Sequence, residues 1–419
     1  MSATGAEVVL ADWDFGPSST LRVVANRAGD GFAGRTTNFP LRPALGVRGA
    51  ADELDPRLAP EAYDAIHFHD DDLDDAGWED DVVLRLDADL PSGVYGIRVR
   101  ASDGTEDTVP FVMTPGAERN KILLVLPTLS YLAYSCEHVM ADPGARDYLK
   151  AVGISSPPFF GGNKHDEYLL ANGLRSLYDV HTDLSGVCYT STQKPLPNIR
   201  HDHRWAAVAG GPTSAHQFSA DLRPPPAGEW HHSTTGELGG LWRLRGRSPQ
   251  ALLGIGMVSQ GFDLNRPYDV VADPADPRVA FAFEGIDLSS GKVGDFESMV
   301  NGWGAAGVEV DRVDAAWGTP EDTVVLATAT GFSRAYGLDP VEVALPDGRY
   351  DGETSDKIRC DLVVLPKPNG GAVFSTGSIA WCGSLLVNKG DNAVSQLTRN
   401  VLRTFAEVDE LPFAGDRRR

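Results

Sequence analysis

The chain has 419 residues, of which 59 are acidic and 37 are lysine or arginine, so its formal net charge at pH 7 is −22. Such an excess of negative charge argues against nucleic acid or an anionic membrane as a partner and favours solubility. Apolar residues make up 42% of the chain, enough for a large core, and the length predicts two or three domains. No stretch approaches the roughly 18 uninterrupted apolar residues of a membrane span.

The cysteines and the first residues indicate a compartment. Four cysteines (Cys136, Cys188, Cys360 and Cys382) in so long a chain do not make a disulfide framework, and no pair has zinc-ribbon spacing. The opening residues carry neither the basic nor the apolar region of a signal peptide. We therefore expect a reducing, cytoplasmic location.

Residues 1–116 are predicted to form a β-sandwich-like domain. Short valine-rich runs alternate here with Pro, Gly and Asp turn signals, a pattern typical of strands. The runs are STLRVVANRA (19–28), DVVLRLDADL (81–90), GVYGIRVRAS (93–102) and EDTVPFVMTP (106–115). The third run has the pattern of a hairpin that leads into an alternating strand.

Residues 117–419 are predicted to form an α/β domain. Continuous apolar runs of the kind buried on both faces of a sheet are KILLVLP (121–127), DTVVLATAT (322–330), DLVVLP (361–366) and GAVFSTGS (371–378). Helices are predicted over 167–180 and 391–408. In the second helix a single apolar stripe is formed by Val394, Leu397, Val401, Leu402 and Phe405.

Two tyrosines follow the first apolar run, in PTLSYLAY (127–134). Residues three apart share a helix face, so amphipathic packing alone accounts for Tyr131 and Tyr134. Alternatively, both phenols line a site, because ligands of open α/β sheets bind beyond the carboxyl ends of the strands. The local pattern leaves both interpretations open.

An acidic run carries further candidate metal ligands. Residues 52–90 contain 15 acids against two arginines, centred on IHFHDDDLDDAGWEDD (66–81). His67, His69 and Asp70 to Asp72 are candidate metal ligands, and alternation in an extended segment puts both histidines on one face. A solvated acidic loop explains the same residues, because the run lacks the regular spacing and the glycine of a calcium loop.

Histidines concentrate in the middle of the chain. Seven of the ten lie between residues 165 and 232: His165, His181, His201, His203, His216, His231 and His232. Histidine is the usual acid, base or metal ligand near neutral pH, so the cluster favours a polar site. Exposure in loops is the alternative, above all for RHDHRW (200–205).

Glycine-rich segments supply the remaining candidates. In HHSTTGELGGLWRLRGRSPQ (231–250) a tight turn would bring Glu237 and Arg243 together, an arrangement more typical of a structural ion pair than of catalysis. In GAAGVEVDRVD (304–314) alternation places Glu309 and Asp311 on one face, where one carboxylate could act as a general base.

One glycine motif is rejected. GWGAAG (302–307) fits the G-x-G-x-x-G pattern, but the strand-like VEVDRVD follows where a dinucleotide site needs a helix N-terminus. The chain contains no P-loop, no G-x-S-x-G and no H-E-x-x-H motif.

Several long motifs together resemble one enzyme family. They are AYDAIHFHDDDLDDAGWE (62–79), PTLSYLAY, YLLANGLRSLYDVHTDLSGVCY (168–189), HHSTTGELGGLWRLRGRSPQ, GAAGVEVDR and PNGGAVFSTGSIAWCGSL (368–385). They look like the large (β) subunit of N,N-dimethylformamidase and its relatives, over nearly the whole chain.

The resemblance implies a fold, an activity and a cofactor. Family members are amide hydrolases with β domains before a C-terminal Rossmann-like or amidotransferase-like α/β domain, which binds one non-haem iron through two tyrosine phenolates and a glutamate. The phenolates would fall on Tyr134 or Tyr131 and on Tyr189, and Glu309 would be a base or proton shuttle. Phenolate and carboxylate oxygens are hard ligands that suit Fe(III), which polarises an amide carbonyl. The implied partners are a small amide, a small accessory subunit and further copies of the chain.

The sequence departs from the family between HQFSADL (216–222) and GEWHHSTTGE (228–237). Relatives carry here a segment with an H-P-E turn, whose glutamate is the third iron ligand and whose histidine is catalytic, and a G-G-N turn with a catalytic asparagine. No H-P-E occurs in this chain, and its G-G-N (161–163) precedes Tyr189. We therefore expect an incomplete sheet, and either an iron-dependent hydrolase of small amides or a non-catalytic member acting as a binding or assembly subunit.

Overall fold

The computed structural model describes residues 8–16, 22–37, 40–49, 58–73, 75–87, 89–117, 121–124, 126, 128–138, 164–177, 179–181, 187, 190–196, 243, 246–261, 263–300, 302–338, 350–408 and 411–412. These residues form two compact units. The first unit holds the described parts of Met1–Trp78 and Leu169–Pro195, and the second those of Glu79–Tyr168, Leu196–Ala215 and Trp242–Arg419. The domain boundary at residue 116 stays a prediction.

The first unit contains small antiparallel sheets. Strands β1 (Trp13–Asp14), β2 (Val23–Asn26) and β3 (Gly34–Arg35) pair in that order, and β4 (Leu41–Ala44) pairs with β5 (Ala65–His67). The Arg42 guanidinium joins the two sheets, because it donates to the carbonyl oxygens of Asp14 at 3.2 Å, Gly16 at 3.0 Å and Val23 at 3.1 Å.

Two of the predicted strands are confirmed, and they form a two-stranded hairpin that turns at residues 101–105 rather than at the predicted LPSG. β6 (Gly93–Arg100) and β7 (Glu106–Met113) pair antiparallel over their whole length, with Tyr95 stacked on Phe111. The strand expected over residues 81–90 is wrong, since the described residues of that run form no strand and Val83 is 75% exposed. Valine content signals strand propensity, but a strand also needs a paired neighbour.

The second unit contains this hairpin and the remaining strands. They are β8 (Gly256–Gly261), β9 (Tyr268–Val270), β10 (Lys292–Val293), β11 (Glu309–Arg312), β12 (Val324–Ala329), β13 (Tyr336–Leu338), β14 (Cys360–Pro366) and β15 (Ala372–Ser375). One sheet has the order β10-β9-β12-β14-β15 and another the order β11-β8-β13.

The helices among the described residues are short except for the last. Their bounds are α1 (Thr128–Tyr134), α2 (Lys164–Ala171), α3 (Pro249–Leu253), α4 (Ala280–Phe283), α5 (Ala380–Ser384) and α6 (Ala393–Glu407). None of these described helices has the length and apolar character needed to cross a membrane. The chain is therefore a mixed α and β protein, and α2 ends well before the predicted residue 180.

The predicted apolar strands are confirmed in three of four cases. β12, β14 and β15 lie in the predicted runs, and every residue of β14 is buried. Their pairings are antiparallel. The strand predicted for 121–127 is wrong, because its described residues form none and Leu123 and Leu124 are 78% and 61% exposed.

Helix α6 closes the core of the second unit. Val394, Leu397 and Val401 are buried as the stripe predicts, whereas Leu402 is half exposed and lies off it. The helix begins at Asn392, whose side chain accepts a hydrogen bond from the backbone N–H of residue 395, as N-cap asparagines do.

A buried carboxylate ties three segments of the second unit together. Asp361 on β14 is 1% exposed. It accepts hydrogen bonds from the Val313 backbone N–H at 2.9 Å and the Thr328 hydroxyl at 2.8 Å, and it pairs with Arg359 Nε at 3.1 Å. Its removal would leave these donors without their acceptor.

We expect Asp361→Ala to lower the free energy of unfolding by about 3 kcal/mol, because the Val313 N–H and the Thr328 hydroxyl both lose their buried acceptor. Chemical denaturation measures the loss. Glu353→Ala is the matched control, since its ion pair with Arg334 is exposed and should matter little. Equal stability of Asp361→Ala and the wild type would contradict this role.

Candidate functional site

Tyr131 and Tyr134, three residues apart, both lie on α1. Both are half-buried. Burial raises the pKa of the Tyr131 phenol, and the nearby Cys382 side chain adds to the shift. Tyr131 is therefore a phenol rather than a phenolate at neutral pH, and a cation that binds its oxygen must displace the proton.

Tyr134 is the last residue of α1 and packs beside the strand that carries Glu309. Its side chain lies against a small apolar cluster of Val300, Val308 and Ile379. Val308 immediately precedes Glu309, the first residue of β11. The structure thus brings Tyr134 next to the backbone that positions the predicted glutamate.

The backbone before Glu309 is held in an unusual conformation. Val308 has φ = 69°, which is uncommon for a β-branched residue. Its N–H donates to the Tyr336 hydroxyl at 3.1 Å, and the same hydroxyl donates to the Asp263 carbonyl at 3.3 Å. The neighbouring Gly307 N–H donates to Ser378 Oγ at 2.7 Å. Such strain persists where the surroundings over-determine it, often at functional sites.

Glu309 and its strand are buried. Glu309 is 9% exposed, Asp311 is 6% exposed, and β11 pairs with β8 through a register shift between Val310 and Asp311. Because of this shift, alternation alone does not place the two carboxylates on one face. Arg312 pairs with Asp314, with 2.7 Å between Nη1 and Oδ2, which is a structural role.

Several predicted residues lie outside the described part of the chain. They are Tyr189, Glu237, His201, His203, His216, His231 and His232, with the side chain of His165. Arg243, the proposed partner of Glu237, is buried; it donates to the Met257 carbonyl at 2.9 Å and lies over the Trp317 ring at 5.3 Å. These contacts support the structural interpretation of Arg243.

The glycine motif at 302–307 is a packing element, consistent with its rejection as a nucleotide site. Gly304 has φ = 107° and its N–H donates to the Phe296 carbonyl at 2.9 Å. Arg266 and Ala306 exchange backbone hydrogen bonds at 2.7 and 2.9 Å beside it. The glycine allows this close approach of two backbones.

A second group of polar side chains assembles in the first unit. The ligand atoms of His69, Asp72 and His181 all lie within 4.8 Å of one another. The sequence singled out His69 and Asp72 together, but it gave no reason to join them to His181, more than a hundred residues later. His67 lies 5.4 Å from the His69 ring and outside the group.

Comparison with known proteins assigns the chain to a family. The protein-family model described as N,N-dimethylformamidase beta subunit-like, C-terminal, matches residues 46–223 and 214–393. The chain therefore belongs to the N,N-dimethylformamidase beta subunit-like family, as the motifs predicted.

Two curated relatives agree with this assignment. The chain is 32% identical to an N,N-dimethylformamidase beta subunit of an Alcaligenes species and 31% identical to one of Paracoccus aminophilus. Each match covers 96% of this chain and 65% of the relative. The chain thus spans about two-thirds of the length of these relatives.

The same comparisons support an internal shortening. Each alignment extends over 505 residues, which exceeds the 419 residues of the chain, so the relatives contain residues that have no counterpart here. The two family matches meet at residues 214–223. That is where the motif order predicts the missing segment.

Proposed function

We propose that the chain is a hydrolase of small amides, such as N-substituted formamides, that uses one non-haem Fe(III). The products would be an amine and a carboxylate. Family membership supports the reaction class. The observation that carries the site is the packing of Tyr134 beside Val308, which brings a phenol next to the strand of Glu309.

The iron would be held by Tyr134 or Tyr131 together with Tyr189. The donor type fits the ion, because the phenol oxygens on α1 are hard donors once they lose their protons. When bound, Fe(III) supplies Lewis acidity that polarises the amide carbonyl. A phenol is protonated at neutral pH and burial raises the pKa of Tyr131 further, so binding through this residue would release a proton and iron affinity would fall with falling pH.

Glu309 would move protons. Its carboxylate is buried at a strand start whose backbone is held by Tyr336 and Ser378. A base in such a position keeps one orientation and can take a proton from the attacking water and return it to the leaving amine.

The proposal extends to the subunit partners of the chain and to the arrangement of its C-terminal domain. The relatives are named beta subunits, and we propose that this chain likewise assembles with further copies of itself and with a small accessory subunit in the cytoplasm. The resemblance also supports a Rossmann-like or amidotransferase-like arrangement over residues 117–419.

A non-catalytic role is the second candidate. The alignments favour this role, because they are longer than the chain and so include residues of the relatives that this chain lacks. By the resemblance, the third iron ligand would lie among those residues. In that case the chain would serve as a binding or assembly subunit.

Iron content and amine release, measured side by side on the purified chain, test the proposal. We expect stoichiometric iron, a phenolate-to-Fe(III) charge-transfer colour and release of dimethylamine from N,N-dimethylformamide. All three should disappear in Tyr189→Phe and persist in Tyr350→Phe, whose ring is 46% exposed. A colourless, inactive wild-type chain would favour the non-catalytic role.

A further inference from the structure

His69, Asp72 and His181 form a closely packed group in the first unit. The rings of His69 and His181 stack with centroids 3.8 Å apart and planes 6° from parallel. The His181 side chain is 2% exposed and that of Asp72 is 18% exposed. The stack holds the two imidazoles side by side, with their ring nitrogens close to Asp72.

A second carboxylate orients His181. Its Nδ1 lies 2.6 Å from Asp71 Oδ1, and Asp71 Oδ2 lies 3.0 Å from Arg175 Nη2. An ionised carboxylate is only an acceptor, so Nδ1 carries a hydrogen, and in the neutral ring Nε2 is then the nitrogen with a lone pair for a metal. A carboxylate that holds the far nitrogen of an imidazole is the usual support of a metal-binding histidine.

The remaining nitrogen of His181 faces Asp72 across a gap. Nε2 lies 3.7 Å from Asp72 Oδ1, and this oxygen is buried with no hydrogen-bond partner among the described residues. A hydrogen on Nε2 would not fill the gap, since hydrogen bonds of this type extend to about 3.2 Å. Two ligands of one tetrahedral zinc ion, each at about 2.0–2.1 Å, lie about 3.4 Å apart. The gap therefore suits a cation bound between the two atoms.

We propose that His69, Asp72 and His181 bind one divalent transition-metal ion of the Zn²⁺ class. Two imidazoles and one carboxylate match the preferences of such ions and leave a coordination position for water. None of these ligands belongs to the proposed iron site, so this ion would be a second metal of the chain. Binding would turn the two imidazoles out of their parallel stack, because the lone pairs of parallel rings do not converge on one point.

The ion would join two segments that are distant in sequence. His69 and Asp72 follow β5, and His181 lies beyond α2, yet both segments belong to the first unit. Five acidic residues lie between 70 and 75, and a cation would offset part of their mutual repulsion. An ion that binds the folded state and not the unfolded one raises the unfolding temperature.

Zinc titration of the full-length chain after treatment with a chelator tests the proposal, with zinc and iron measured separately. We expect Asp72→Asn and His69→Gln each to take up one zinc equivalent less than the wild type while retaining the wild-type iron content. Added Zn²⁺ should raise the unfolding temperature of the wild type by a few degrees and leave that of both variants unchanged.

Two neighbouring substitutions are the matched controls. Asp70→Asn removes an exposed carboxylate of the same run, and His67→Gln removes an exposed imidazole outside the group. Both should bind zinc as the wild type does. Equal zinc content in the wild type, Asp72→Asn and His69→Gln would overturn the proposal, as would a wild type that takes up no zinc. Because iron is measured separately, the zinc result can be interpreted even if the chain binds no iron.

Discussion

Tyr134→Phe is expected to remove the iron-dependent colour and to lower amide hydrolysis by about a hundredfold or more. Altering a residue that only supports a metal ligand lowers metal affinity or activity roughly 10- to 100-fold. Loss of the ligand oxygen itself should lower them by more. Phenylalanine keeps the ring that packs against Val300, Val308 and Ile379, so the apolar contacts remain. Iron analysis, the visible spectrum and kcat/KM measure the effect, and the unfolding temperature shows whether the fold is retained.

Tyr131→Phe is the matched comparison on the same helix. Tyr131 lies three residues earlier and near Cys382. If Tyr134 is the ligand, Tyr131→Phe keeps iron and colour. The reverse result would assign the ligand to Tyr131. Iron and activity unchanged in both variants would contradict a phenolate ligand on α1.

Gly304→Ala is expected to destabilise the second unit by about 3 kcal/mol or more, because it combines backbone strain with a clash. A Cβ on Gly304 would lie 2.4 Å from the backbone carbonyl carbon of Arg266, and φ is 107°. Backbone atoms cannot move aside as a flexible side chain can. Chemical denaturation followed by fluorescence measures the loss, and the fully buried Ala305 and Ala306 beside it should be disturbed with it.

Gly331→Ala separates the two causes. Gly331 has φ = 73°, but a Cβ there would meet nothing within 4 Å. This variant carries the backbone strain alone and should lose only about 1 kcal/mol. If both variants lost the same amount, the close approach of Arg266 would not be what requires glycine at residue 304.

Local patterns predicted the elements whose causes are local. Helix α6 carries its cap at Asn392 and its stripe at 394, 397 and 401, all within one segment. The hairpin β6–β7 likewise closes on itself. The run at 121–127 has the composition of a buried strand, yet its described residues form none, because pairing depends on partners far along the chain.

The candidate sites depend on long-range contacts and were predictable only in part. Tyr134 and Glu309 were selected by resemblance to a family, and their proximity arises from the packing around Val308. His69 and Asp72 stand out by composition, but His181 joins them only through the fold. A single sequence contains no signal that links residues so far apart.

The Tyr336 hydroxyl sets an alkaline limit on the geometry of the strand that carries Glu309. Burial raises the pKa of Tyr336, so the folded chain keeps this phenol protonated above the ordinary phenol value of about 10. Its contribution to stability is complete below that value and is lost as the pH rises through the raised pKa. A phenolate could no longer donate to the Asp263 carbonyl. Strongly basic conditions would therefore detach this oxygen from the Asp263 carbonyl and place a buried negative charge beside the strand of Glu309, although the Val308 N–H could still donate to it.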